Sequence, residues 1–271
     1  MPEGHVIHRL AHQLDGVFSG QVVRVSSPQG RFAEGAQRMD GATWSGADAL
    51  GKHLLIAFTD RPEQVHVHLG IFGKVTIARA TSIPPVGLIR LRLESATYTV
   101  DLRGPTTCEL LLPDEVEALF ARIGPDPLRP DADPDRAWRR IKGSRTSIAV
   151  LLMDQAVLSG VGNIYRAEVL FRHRVPPTLP GNKVTRRKWI AMWEDLVYLM
   201  ALGVKDGQID TVRPEHEPEA MGREARDDRH GGEVYVYRRA GMPCLVCSTP
   251  IATRELAARN LFWCPSCQRR R

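Results

Sequence analysis

Four cysteines in two tight pairs constrain this chain more than any other feature. Cys244-Leu-Val-Cys247 and Cys264-Pro-Ser-Cys267 are separated by sixteen residues. Each C-x2-C pair bends the backbone into a knuckle, and two pairs at this distance can close four thiolates around a tetrahedral Zn2+ ion. Four sulfur ligands leave no open coordination position, so one structural ion is expected and not a catalytic one. A terminal module this short cannot bury enough apolar surface to fold alone, and metal binding supplies the missing free energy. Arg238, Arg239, Arg254, Arg259 and the terminal run Gln268-Arg269-Arg270-Arg271 surround it. They are either a solvated face or phosphate contacts, and zinc together with a basic surplus favours phosphate.

The rest of the chain is built differently. The fifth cysteine, Cys108, stands alone in the apolar run CELLL and reads as a core residue. Of 271 residues, 43% are hydrophobic and 25% charged, enough for one large or two modest cores. No run of about 18 apolar residues occurs, so no membrane partner is expected. The opening MPEGHVIHRL lacks the basic-then-apolar order of a secretory leader, which points to the cytoplasm. The formal net charge of +6 suits a polyanionic partner.

Periodicity sets the organisation. Val6, Ile7, Leu10, Ala11 and Leu14 recur at helical spacing and predict an amphipathic helix over 3–15. From Val22 to about Leu112 the pattern shortens to VVRV, HLLIAF, VHVHLGIF, LIRLRL and YTVDLR, punctuated by Gly, Pro, Ser or Asp, as in an antiparallel sandwich or barrel. A helical stretch over 113–123 leads into GPDPLRPDADPD, whose prolines and aspartates suggest a stiff, polar hinge. Helices are expected over 134–142, 147–158, 164–172 and 185–202, then a polar, mobile loop over 205–233. The domains expected are 1–124, 125–230 and 231–271.

Within 150–171 an apolar helix is expected to end near Leu158, with Ser-Gly-Val-Gly turning the chain and Asn163 starting the next helix. Free N–H groups, the positive end of a helix dipole and two glycines make a phosphate the natural guest there, although a glycine turn between helices is more often only a turn.

Taken in order, these pieces resemble the formamidopyrimidine-DNA glycosylase/endonuclease VIII family, and more closely its endonuclease VIII branch. The match comprises MPEG, GKHLL at 51–55, HLGIFG at 68–73, IGPDPL at 123–128, LLMDQAVLSGVGNIYRAEVLF at 151–171, VYRRAGMPC and RNLFWCPSCQ. It runs nearly end to end. The resemblance implies an α+β architecture: an N-terminal helix plus antiparallel β-sandwich, then a helical helix–two-turn–helix domain with a C-terminal four-cysteine zinc finger. It also implies damaged double-stranded DNA as partner, no small-molecule cofactor, a monomer, and a bacterial, nucleoid-associated location.

By the same resemblance, Pro2 is the nucleophile. Once Met1 is removed it offers a secondary amine that attacks C1′ of a damaged nucleoside. A free α-amino group titrates near ~8, below lysine, so a useful fraction is unprotonated. Glu3 is the implied general acid at the sugar ring oxygen, although a carboxylate at a helix start is favoured by the dipole alone. Lys52 is implied at the lesion phosphate. Arg259, five residues before Cys264, is implied as a phosphate clamp during elimination, a task suited to its planar fork. His68, Arg122 and Asn163 match further DNA-contact positions; read alone they are a strand histidine, a solvated helix charge and a helix cap.

A flipped-out base leaves a gap. Ile71 and Phe72 are the candidates to fill it, unless they are plain strand core. Gly70 stands where relatives in the endonuclease VIII branch carry a polar wedge, and Val6 near where relatives often carry another carboxylate. The oxidised-purine branch has an arginine–aromatic wedge after an Asp-Pro-Arg motif. Here Asp101-Leu-Arg-Gly-Pro-Thr106 has no aromatic residue, which favours oxidised pyrimidines as substrate. The alternatives are an oxidised-purine glycosylase of the same family and a non-catalytic zinc-finger DNA-binding protein. The second has no use for Pro2 or Glu3.

Overall fold

One hydrophobic cluster, fed by a helix and by both halves of a sheet, organises the N-terminal part of the chain. The computed structural model describes residues 2–79, 84–228 and 231–269. The chain divides between Arg122 and Ile123 into two units. In the first, α1 (Gly4–Phe18) buries Ile7, Leu10, Ala11, Leu14 and Phe18 along one stripe, as helical spacing dictates. The strands are β1 (Val22–Ser26), β2 (Ala42–Leu50), β3 (His53–Phe58), β4 (Gln64–His68), β5 (Lys74–Ala78), β6 (Ile89–Glu94), β7 (Thr99–Arg103) and β8 (Thr107–Leu111). They pair antiparallel in the order β5-β7-β6-β1-β2-β3-β4-β8.

Strands β1 and β2 meet at only two residue pairs, Val22↔Thr43 and Val23↔Ala42. On either side of this narrow join the halves share one core. Val25, Leu91, Leu93 and Leu102 cluster with Trp44, Leu54, Ile56 and Val67. The expected helix and antiparallel sandwich are therefore present. Asp15 pins the helix to the sheet, its Oδ1 accepting from Trp44 Nε1 and from the Ala47 amide, both at 2.8 Å. Two further helices, α2 (Ala33–Met39) and α3 (Pro113–Arg122), complete the unit. Cys108 packs against the core, and burial pushes its thiol up to about 12, which makes it unreactive.

The second unit contains α4 (Pro134–Lys142), α5 (Ile148–Leu151), α6 (Asn163–Arg172), α7 (Arg186–Asp206), α8 (Pro218–Met221) and the hairpin β9 (Ala252–Leu256) and β10 (Arg259–Trp263). Local chemistry explains the helix ends. Asp133 caps α4 by accepting from the Asp135 amide, with Pro134 at the first position. Thr185 caps α7, and Gly207 ends it at φ 78°. Among the described residues no helix is long and apolar enough to cross a membrane.

Three expectations need correction. The helix read over 147–158 stops at Leu151, because two side chains take over the backbone bonding beyond it. Asp154 Oδ1 accepts from the Ala156 amide, while Gln155 donates to Met153 O and Val161 O and accepts from the Gly160 amide. The stretch read as a polar hinge begins instead as buried structure: residues 123–127 are buried, Gly124 N donates to Gln155 O and Ser159 N to Pro125 O. A Cβ on Gly124 would lie 2.5 Å from the Val157 backbone, so only glycine fits that contact. Within 205–233, Thr211 is fully buried and Arg223 pairs with Glu233 at 2.7 Å, so much of that stretch is anchored; residues 229 and 230 lie outside the described residues.

One core runs from the helices into the finger. Leu170, Trp189 and Met192 belong to the same cluster as Tyr235, Ile251, Leu261 and Phe262. At its centre, Glu168 of α6 is fully buried and accepts four hydrogen bonds. Oε2 takes Thr211 Oγ1 and the Tyr235 amide, both at 2.7 Å; Oε1 takes the amides of Val236 and Tyr237 at 2.9 and 2.8 Å. A glutamine here would turn an amide N–H toward two backbone donors. Glu168→Gln is expected to cost about 3 kcal/mol of folding stability, read as a lower urea midpoint for the zinc-loaded protein. An unchanged midpoint would remove Glu168 from the centre of this unit.

Candidate functional site

The first unit displays its candidate residues on chain ends and tight turns. Pro2 is half-buried and Glu3 is 2% exposed. Glu3 occupies the N-cap position of α1 with extended backbone (φ −107°, ψ 176°), yet its side chain does not cap the helix. The carboxylate is therefore not spent as the helix cap. Lys52 sits in the two-residue loop joining β2 to β3, where Leu50 pairs with His53 and Gly51 takes φ 58°. Glycine at the first central position is what a type II′ hairpin turn requires. His68 ends β4, and burial, then His66 and Lys52, lower its pKa. Arg122, exposed, is the last residue of α3, and its charge acts on His53.

The turn after β4 decides between two readings of Ile71 and Phe72. They are 55% and 86% exposed, so neither is strand core. Their exposure is set by the glycine before them. Gly70 has φ 67°, and a Cβ there would lie 1.9 Å from Thr106 Oγ1, so no wedge side chain fits at that position. The turn can project only the next two side chains, Ile71 and Phe72. These two adjacent exposed apolar side chains form a face that a partner can cover.

In the second unit, Asn163 is not a helix cap. Gly162 holds that position, and Asn163 reaches instead across to the hairpin, donating from Nδ2 to Asn260 O at 3.0 Å and accepting from Arg166. Arg166, 1% exposed, donates to Asn260 O as well, at 3.1 Å. These bonds place the first turn of α6 beside the hairpin tip, where Ala257 and Ala258 both take positive φ and Arg259 opens β10. Asn163 and Arg259 are thus brought to one end of this unit. Sequence reasoning missed Arg166 and Asn260; an arginine one turn after Asn163, in an otherwise apolar helix, was the available signal.

Of the basic residues around the finger, Arg239 is corrected from surface to interior. It is 7% exposed and braces the chain, donating to Tyr235 O at 2.7 Å and Pro243 O at 3.0 Å. Gln268 is also structural: it accepts from the Cys264 amide and donates to Val175 O. Arg254 lies over the Trp263 ring at 5.7 Å. Arg270 and Arg271 lie outside the described residues.

The four cysteines converge, with all four sulfurs within 4.8 Å of one another. Sγ separations are 3.5 Å for Cys247–Cys264 and Cys247–Cys267 and 4.0 Å for Cys244–Cys267. Tetrahedral zinc with Zn–S of about 2.3 Å puts its sulfurs about 3.8 Å apart, so the donor set fits that ion. The amides of Val246 and Cys267 point at the sulfurs of Cys244 and Cys264, stabilising thiolate charge.

Comparison with known proteins agrees with this layout. Residues 1–108 match the formamidopyrimidine-DNA glycosylase N-terminal domain, 123–213 its H2TH domain, and 241–270 the zinc finger found in FPG and IleRS. Endonuclease 8 1 of Mycobacterium bovis and of Mycobacterium tuberculosis are each 49% identical to this chain, over 99% of it and 100% of theirs. The chain belongs to the formamidopyrimidine-DNA glycosylase family. A more distant member, the formamidopyrimidine-DNA glycosylase of Vibrio cholerae, is 25% identical over 95% of this chain and 94% of its own. Among solved structures, Lactococcus lactis Fpg in complex with abasic-site DNA shares the fold, with a TM-score of 0.81 at 22% identity, covering 99% of this chain and 100% of that one. In this family setting the four-cysteine cluster is a zinc finger by sequence and by sulfur geometry.

Metal analysis of the purified chain should find one zinc per molecule. Cys264→Ala should lose it, together with the near-ultraviolet circular dichroism of the aromatic residues packed around the finger. Zinc retained at full occupancy in that variant would exclude the four-thiolate site.

Proposed function

We propose that this chain is a bifunctional DNA glycosylase and abasic-site lyase of base-excision repair, acting as a monomer on damaged double-stranded DNA. The observation that carries the reading is the N-terminal pair: Pro2 beside a buried carboxylate, Glu3, that the helix does not use as its cap. Within a family of DNA glycosylases, such a pair has a direct chemical use.

The chemistry needs only protein groups. After Met1 is removed, the lone pair of the Pro2 amine attacks C1′, and the C1′–N bond breaks as the base leaves with a proton. Glu3 protonates the ring oxygen, the C1′–O4′ bond opens, and an iminium ion forms between Pro2 and C1′. Loss of a C2′ proton expels the 3′ phosphate, a second elimination expels the 5′ phosphate, and water releases the enzyme. Lys52 and Arg259 hold the phosphates through these eliminations, with His68, Arg122 and Asn163 as further backbone contacts. Gly162 at the N-cap of α6 places the positive end of the helix dipole at Asn163's end of the surface. Ile71 and Phe72 fill the gap left by the flipped base, the use that their exposure on the Gly70 turn supports. The zinc ion holds the hairpin that carries Arg259 and takes no part in the chemistry.

Oxidised pyrimidines are the proposed substrate class. In the 101–106 stretch Arg103 is already committed, donating to Asp101 at 2.9 Å, Thr76 Oγ1 at 3.0 Å and Val86 O. With no aromatic residue after it, this stretch offers no second wedge.

Borohydride reduction of Met1-processed protein on a duplex with an abasic site should trap a covalent adduct, which Pro2→Gly should lose or weaken. Glu3→Gln should slow base release at least about a hundredfold while leaving duplex affinity within a few-fold. A protein that binds the duplex but gives no adduct would be a DNA-binding scaffold without the chemistry. Across a panel of lesions, thymine glycol and 5-hydroxypyrimidines should be released faster than oxidised purines; the reverse order would move the chain to the purine branch.

A further inference from the structure

The face of the sheet turned away from the core carries a polar chain that the glycosylase and lyase steps leave unused. Strand register pairs His53 with His68, Leu55 with His66, and His66 with Glu109. Alternation therefore puts His53, His66, His68 and Glu109 on one face, opposite the one that sends Leu54, Ile56, Val65 and Val67 into the core. His66 is 4% exposed. Its Nδ1 lies 3.0 Å from Glu109 Oε1, and its Nε2 lies 2.8 Å from His53 Nδ1. The His53 and His66 ring planes lie within 19° of each other with centroids 5.1 Å apart, and His53 lies 5.0 Å from the His68 ring.

Donor counting assigns the protons. A carboxylate only accepts, so His66 Nδ1 carries the proton that it shares with Glu109. Neutral His66 then has a bare Nε2, so His53 Nδ1 must donate to it, and His53 Nε2 is bare. If one proton is added from solvent at His53 Nε2, the proton on His53 Nδ1 passes along the 2.8 Å bond to His66 Nε2. The charge then rests on His66, in contact with Glu109, and His53 stays neutral with Nε2 now a donor. Only N–H bonds form and break, and the charge of the relay rises from −1 to zero.

The surroundings favour this division of labour. Burial, with His66, His68, Arg122 and Lys52 nearby, pushes His53 down to about 3, so His53 does not hold a charge of its own. The charged and titratable groups facing the relay are Asp48 on β2, Lys52 in the β2–β3 loop, His68 on β4, Glu109 on β8 and Arg122 at the end of α3. Glu109 contacts the relay through His66 Nδ1 at 3.0 Å.

We propose that Glu109, His66 and His53 form a relay that takes up one proton when a DNA phosphate docks beside Lys52 and His68, turning His53 Nε2 from an acceptor into a donor toward that phosphate. The proposal rests on the DNA-repair reading for the presence of the phosphate. It makes His53 a phosphate contact and His66 and Glu109 positioning residues.

The test uses the zinc-loaded protein and a duplex carrying a tetrahydrofuran abasic analogue. Long-range 1H–15N spectra of the free protein at pH 7.5 should find the His53 proton on Nδ1, and the duplex should move it to Nε2. Glu109→Gln suits the second measurement because the Glu109 side chain is 52% exposed and glutamine keeps its size and an acceptor oxygen for His66 Nδ1. Between pH 5.5 and 8.5, duplex affinity should rise as pH falls, and the slope of log affinity against pH should be shallower in the variant by at least about half a unit, reflecting the lost proton uptake. A His53 proton already on Nε2 in the free protein, or equal slopes, overturns the relay and leaves the DNA-repair reading standing. Failure of the wild-type protein to bind the duplex at all removes both.

Discussion

The second unit hangs on a single buried carboxylate. Glu168 receives four hydrogen bonds, three of them from consecutive backbone amides at 235–237, and so fixes the path by which the chain leaves the helices for the finger. Arg239, two residues further on, braces the next turn through Tyr235 O and Pro243 O, just before the first cysteine. The finger is then held to α6 at both of its ends. Gln268 reaches Val175 beyond the C-terminus of the helix, while Asn163 and Arg166 reach Asn260 at its N-terminus. The hairpin is thus registered against a helix, and Arg259, which opens β10, is placed beside the α6 turn.

In the first unit the constraint is steric. The sandwich core takes Leu54, Ile56, Val65 and Val67 from one face of β3 and β4, and the candidate residues Lys52, Ile71 and Phe72 lie on the turns at the strand ends. Gly51 supplies the positive φ that lets the two-residue loop present Lys52. Gly70 supplies another, and Thr106 fills the space where its side chain would be, so the loop projects Ile71 and Phe72 instead. Exposing two large apolar side chains forgoes burial worth several kcal/mol, which is reasonable only where a partner covers them.

Legibility tracked how local each signal is. Helix α4 and strand β3 carry the bounds expected, because a capping Asp133 with Pro134, and an apolar run bounded by turn residues, act over a few residues. Helix α2 and strands β2, β5 and β8 were not separated as elements; β2 reads ATWSGADAL, with small and polar residues whose strand pairing comes from its neighbours. The helix over 147–158 was over-extended because Asp154 and Gln155 are compatible with a helix until their side chains find backbone partners in the turn. Arg239 looked like surface charge because nothing near it in sequence announces the two carbonyls it serves.

The sequence by itself determined the chemistry available: four thiolates at metal spacing, a proline and a glutamate at the amino end, a glycine before Lys52, and a family likeness that runs through all of them. These are properties of residue type and spacing, and they survive without coordinates. Tertiary structure alone decided which groups are spent on the fold and which are left for function. Burial turned Arg239, Gln268 and Glu168 into framework, left Ile71 and Phe72 in solvent, and took Glu3 out of helix capping. It also joined His53, His66 and Glu109, residues from three strands, into one hydrogen-bonded chain. The physical reason is that desolvation and hydrogen-bond partnership depend on what lies across space, and across a sheet that neighbour can be more than forty residues away.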